Sequence, residues 1–179
     1  MQGTVCSIVA AHEKLAKMYR EAIPRLTLNF RAKYGPTLTD WPGSVVDHEP
    51  YDISKGIGHM LQQVRASGVL RVSGLHDTSL YPDAGNVGFR YAHDLTHLLY
   101  ELGFDEQSEH TVHHFLWLYI RATPTWFGLY PEQKQLVAQV YRADTTDQTN
   151  YERRHGHFPP DQGAFVIKQV QRRLRHAQA

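Results

Sequence analysis

His93 and His97 stand four residues apart in the stretch FRYAHDLTHLLYELGFDEQSEHTVHHFLW, residues 89–117, which carries five of the twelve histidines. On a helix that separation puts both imidazoles on one face, with Cβ atoms roughly 5–6 Å apart. Two such imidazoles can bind one metal ion, as in the HExxH helices of zinc proteases. The motif here is HDLTH, so the protease's glutamate base is missing and Asp94 follows His93 instead. Glu109 and His113 repeat the four-residue separation further on.

These groups meet only if two helices bring them together. Gly103 is placed where a left-handed residue would close a helix running from Gly88 to Leu102. Asp105 can cap a second helix over 106–121, with Glu106 and Glu109 in its favourable first turn. So short a connection predicts antiparallel packing. At roughly 1.5 Å of rise per residue, His97 and Glu109 then fall within one turn of each other along the hairpin. His93, His97 and Glu109 are the expected core ligands, with Asp94 or His113 as a fourth. Nitrogen and oxygen ligands of this mix suit a divalent ion, zinc first, with iron or manganese open. Glu101, one turn beyond His97, can orient an imidazole or act as a base, and with Asp94 it is the candidate catalytic carboxylate. Its plainer reading is a solvated group near a helix end. His110 and His114 are also four apart, but on an offset face that reads as exposed. Leu95, Leu98, Leu99, Leu102, Leu116, Trp117 and Ile120 read as the apolar wall around the ligand stripe.

His93-Asp94-Leu95-Thr96-His97, eleven further residues, and Glu109 resemble the HDxxH-x11-E pattern of the coenzyme Q biosynthesis metal-site family. The resemblance implies an all-helical fold in which the two histidines, the aspartate and the glutamate bind the metal. Asn86-x-x-Phe89-Arg90 and Phe104 are similar to a pattern in phage and bacterial proteins of unassigned role. The resemblance covers residues 86–117 and brings no substrate with it.

The rest of the chain must supply the scaffold. Amphipathic spacing predicts a helix over 5–22, with Pro24 ending or kinking it and 25–34 continuing as a second piece. The segment 35–52 reads as loop, 53–67 as a helix weakened by Gly56 and Gly58, and 69–73 as the one credible strand. Residues 74–88 read as loop and 131–142 as a helix with proline first. The segment 143–160 is loop or a short helix, and 161–177 a closing amphipathic helix. The expectation is a mainly α, single-domain bundle over 1–179, with long loops and a central metal-binding helical hairpin.

With 41% hydrophobic residues in 179, the chain can bury a core. Its formal charge of +1 gives no overall field for nucleic acid or an acidic membrane surface. One cysteine, Cys6, excludes an internal disulfide framework and a cysteine zinc site. No stretch approaches the roughly 18 apolar residues of a membrane span, and no secretory pattern opens the chain. A soluble cytoplasmic protein is the resulting expectation.

Three functional readings compete. The leading one is a single-ion Lewis-acid enzyme, hydrolysis of a small molecule being the least demanding chemistry for such a site. The second is an HD-domain phosphohydrolase, for which His59, His93-Asp94 and Asp144 or Asp147 fall in a plausible order. The third is a non-catalytic phage or bacterial interaction protein in which a metal staples the hairpin. His76-Asp77 is a further HD pair, in a loop, read as local hydrogen bonding. His155 and His157 can approach the site from a loop or lie exposed. Lys168, Arg172, Arg173 and Arg175, with Arg153 and Arg154, form either a phosphate-binding patch or a solvated face, so nucleic acid is disfavoured but left open. Trp126, Phe127 and Tyr130 line a pocket or a partner surface, or pack between helices, the last being the plainer reading. No GxSxG elbow, P-loop or GxGxxG appears.

Overall fold

The computed structural model describes residues 2–39, 44–74 and 83–177. The chain is mainly helical. Its axis is α1 (Gln2–Tyr34), which packs along α3 (Asp83–Tyr100) and also touches α4 (Glu106–Arg121), α5 (Pro124–Phe127), α6 (Pro131–Arg142) and α8 (Gln162–His176). Two short strands, β1 (Ser44–Val46) and β2 (Arg71–Ser73), pair in parallel with Val45 opposite Val72. The helix α2 (Gly56–Ser67) connects them after a 3-10 turn at Ile53–Lys55. No helix among the described residues is long and apolar enough to cross a membrane.

Pro24 was expected to end or kink the first helix, yet α1 runs through it without a break. The reason is the apolar stripe. Tyr19, Ala22, Ile23, Leu26 and Phe30 are all buried and keep helical spacing across the proline, while Pro24 itself faces solvent. Packing of that face outweighs one missing backbone bond and the ring's clash, together worth about 3 kcal/mol against alanine. Proline also stiffens the unfolded chain by up to about 1 kcal/mol. Pro24→Ala is therefore expected to raise stability by about 2 kcal/mol in urea denaturation, and an unchanged midpoint would contradict this.

The strand expected at 69–73 exists as β2, but its partner β1 lies inside the segment read as loop. Three residues are too few to show a strand period. Gly68 takes the left-handed conformation that closes α2, and a Cβ there would stand 2.5 Å from the Thr37 carbonyl oxygen. The second HD pair, His76-Asp77, lies outside the described residues, as do Trp41 and Pro42 of the expected loop.

Residues 143–155 prove helical throughout. A π-helical turn (Ala143–Asp147) joins α6 to α7 (Gln148–His155), and α8 follows after the Asp161 cap. Leu95, Leu98, Leu99, Leu116 and Ile120 are buried as expected, with Trp117 packed against the core.

Candidate metal centre

Two helix ends set the geometry. Asp105 caps α4, its carboxylate accepting from Ser108 N–H at 3.1 Å, so Glu109 enters one turn into the helix. The close of α3 differs from expectation. The left-handed residue is Glu101, at φ 54°, and not Gly103. Glu101 N–H donates to Leu98 and Leu102 N–H to His97, the paired bonds of a Schellman closure. A non-glycine residue is held there by α1: Lys33 Nζ donates to the Leu99 carbonyl at 2.8 Å and meets Glu101 Oε1 at 2.9 Å, while Tyr34 donates to the same carboxylate at 2.7 Å. Those bonds keep the Glu101 carboxyl below its usual range. They also direct it to the end of α1 and not to an imidazole of the cluster.

His93, His97 and Glu109 converge. Their ligand atoms all lie within 4.8 Å of one another, so the cluster can hold a metal ion. Glu109 spans the two imidazoles, Oε2 at 3.1 Å from His93 Nε2 and Oε1 at 3.3 Å from His97 Nε2. His97 is fully buried, and its Nδ1–H donates to the Leu102 carbonyl at 3.0 Å. That bond engages Nδ1 and leaves Nε2 as the nitrogen that faces Glu109. The Nε2 atom is buried and makes no aligned hydrogen bond. A carboxylate this close to an imidazole nitrogen is held either by a proton on that nitrogen or by a metal cation between the two. The donor set thus fits a divalent ion.

The other expected groups surround this point. Asp94 Oδ1 accepts from His93 Nδ1 at 3.3 Å, the nitrogen opposite the one aimed at Glu109. It is placed to orient the imidazole from behind and not at the point where the three ligand atoms meet. His113 is buried, with Nε2 3.9 Å from Glu109 Oε2 and Nδ1 without a hydrogen bond. Its carbonyl accepts from the Tyr141 hydroxyl at 2.6 Å. Phe89 packs on the His93 ring, centroids 5.4 Å apart, and Phe104 on His97 at 5.0 Å. The two phenylalanines quoted around the HDxxH segment therefore wall the imidazoles.

Charge is shared unevenly among these groups. Burial alone would pull His93 down, but hydrogen bonds to Asp94 and Glu109 outweigh it and hold the imidazole up at about 10. Burial alone would raise Glu109, but His93 and His97 hold its carboxyl far below the usual range. Burial, then the positive His93, push His113 down to about 3, so it is neutral.

Several candidates do not join the cluster. His59 is half-buried on α2 and bonds Gln63, Asp144 pairs with the buried His12 at 3.8 Å, and Asp147 pairs with Arg173. The HD-domain arrangement is therefore not assembled. His110 lies beside Glu106 at 3.7 Å and His114 against Phe115. His155 stacks on Tyr151 and gives its Nδ1–H to that residue's carbonyl, and His157 bonds Phe158. The basic patch is partly consumed inside the molecule, since Arg173 holds Asp147 and Arg153 holds Glu106 at 3.5 Å. Trp126 packs on Trp117, while Phe127 and Tyr130 are exposed.

No protein-family model, curated protein or solved structure matches this chain.

Proposed function

We propose that this is a single-metal-ion protein in which His93, His97 and Glu109 hold a divalent cation, zinc first and iron or manganese next, that acts as a Lewis acid on a small molecule. The observation that carries this reading is the convergence of His93, His97 and Glu109, whose ligand atoms all lie within 4.8 Å of one another. The HDxxH-x11-E resemblance supports it. The chemistry such an ion supplies is polarisation of a bound oxygen or activation of water, and hydrolysis needs nothing further. Asp94 orients His93, Phe89 and Phe104 keep water from the imidazoles, and neutral His113 adds a nitrogen beside Glu109. His93 and Glu109 retain partial exposure, 17% and 19% of their side chains, so the centre has a route to solvent. That favours an accessible ion over a closed structural staple.

Elemental analysis of protein prepared without a His tag tests the reading. About one ion per chain is expected, and a His93→Ala/His97→Ala chain should carry almost none. Equal metal content in both, or none in the wild type, refutes it.

A further inference from the structure

Two histidines outside the hairpin are arranged as ligands in their own right. His155 is the last residue of α7, and His157 follows it after one glycine. Gly156 sits at φ 74°, the left-handed conformation, and its N–H closes the helix onto the Glu152 carbonyl. The chain turns there, and the two exposed imidazoles come to lie with ring centres 6.2 Å apart. Each ring has one nitrogen tied to the main chain. His155 Nδ1 lies 2.8 Å from the Tyr151 carbonyl oxygen, and His157 Nδ1 lies 2.8 Å from that of Phe158. A carbonyl oxygen only accepts, so both Nδ1 atoms carry the proton, and in the neutral ring Nε2 keeps its lone pair. No group among the described residues bonds either Nε2. Metal-binding histidines are oriented in this way, one nitrogen donating to a carbonyl and the other meeting the ion.

Tyr151 steadies the pair. Its ring stacks on His155 at 4.0 Å, meets His157 edge-on at 5.9 Å, and packs edge-on against Phe165 of α8 at 5.4 Å. Both imidazoles are therefore partly ordered before any ion arrives, which lowers the entropy cost of binding. The C-terminal end of α7 also favours a cation.

We propose that His155 and His157 form a second metal site, which takes a borderline divalent cation such as Zn2+ or Cu2+ through the two Nε2 atoms, with water completing the shell. Imidazole nitrogen selects these ions over magnesium and calcium. Bonds of roughly 2.0–2.1 Å to two imidazoles set the ring centres about 5–6.5 Å apart, depending on the angle at the ion. The observed 6.2 Å lies at the wide end of that range, and small torsional shifts of these exposed rings narrow the angle. The site stands apart from the hairpin reading and does not rest on it. With two protein ligands against three it is the weaker of the two and empties on dialysis, so the purified chain still carries about one ion.

The test is imidazole 15N NMR of the ion-free chain, prepared without a His tag and titrated with Zn2+, for wild type, His155→Gln and His157→Gln. Before zinc, both rings should show the Nδ1–H tautomer when neutral. With zinc, the Nε2 signals of His155 and His157 should move together at one common affinity, ahead of the other exposed rings, His48, His114 and His176. Either glutamine variant should weaken zinc at the remaining ring by at least about tenfold, because the linked pair of ligands is lost. Both altered positions are exposed, so the fold is not at stake. Separate affinities for the two rings overturn the proposal. So does movement no earlier than that of His48, His114 and His176, or an unchanged affinity at the remaining ring in the single variants. His93 and His97 report in the same spectrum, so the fate of the hairpin centre is read independently.

Discussion

Saturating the ion-free chain with Zn2+ is expected to raise its melting temperature by about 5–10 °C. A ligand that binds only the folded state stabilises it by about 2.7 kcal/mol at a hundredfold excess over Kd. For a chain of this size each kcal/mol moves the melting point by about 2–4 °C. The ligand atoms come from separate helices and are not assembled in the unfolded chain, so little binding is lost to that state. A His93→Ala/His97→Ala chain should show no shift. The ion-free chain should still melt cooperatively, because the core around Leu15, Tyr19, Leu26 and Phe30 is built on α1 and does not depend on the centre. Scanning calorimetry with zinc and with chelator reads both outcomes. Unfolding by chelator alone would favour the structural-staple reading.

Without metal, stability is expected to peak near neutral pH and fall on both sides. His93 is raised from 6.5 to about 10, so its contribution is full below pH 6.5 and is lost as pH climbs from there through 10. Glu109 is depressed from 4.5, so its contribution is present above that pH and lost as pH falls. His113 is depressed from 6.5 to about 3, and the folded chain keeps it neutral. The unfolded chain takes up that proton as pH falls below 6.5, which drains stability on the acid side. A tenfold change in proton affinity on folding is worth about 1.4 kcal/mol, so both limbs are on the order of a few kcal/mol. Urea denaturation from pH 4 to 10 in chelator checks this, and stability that grows between pH 7 and 9 would contradict it. With zinc bound the alkaline limb should flatten, because the ion replaces the proton that His93 would otherwise lose.

The hairpin was legible because its signals are local. HDLTH places two imidazoles on one face, Asp105 is a strong cap, and the gap to Glu109 does the rest. What escaped reading depends on partners distant in sequence. Glu101 looks like a base beside His97, but Lys33 and Tyr34, more than sixty residues earlier, capture it. Gly103 looks like the cap, yet those same contacts let a glutamate occupy the left-handed position. The α7 segment shows no apolar stripe because the residues it buries, Thr145, Gln148 and Thr149, are polar. Periodicity in hydrophobicity cannot reveal a face made of hydroxyls and amides.

The hydrogen bond from His97 to the peptide oxygen of Leu102 has an evolutionary consequence. Which imidazole nitrogen is left for an ion is decided by main chain and not by a side chain. Replacements at position 102 can drift through many residue types without disturbing that choice, whereas inserting or deleting a single residue in the bend after Tyr100 would alter it at once. Descendants of this sequence should therefore vary at position 102 while preserving the length of that bend.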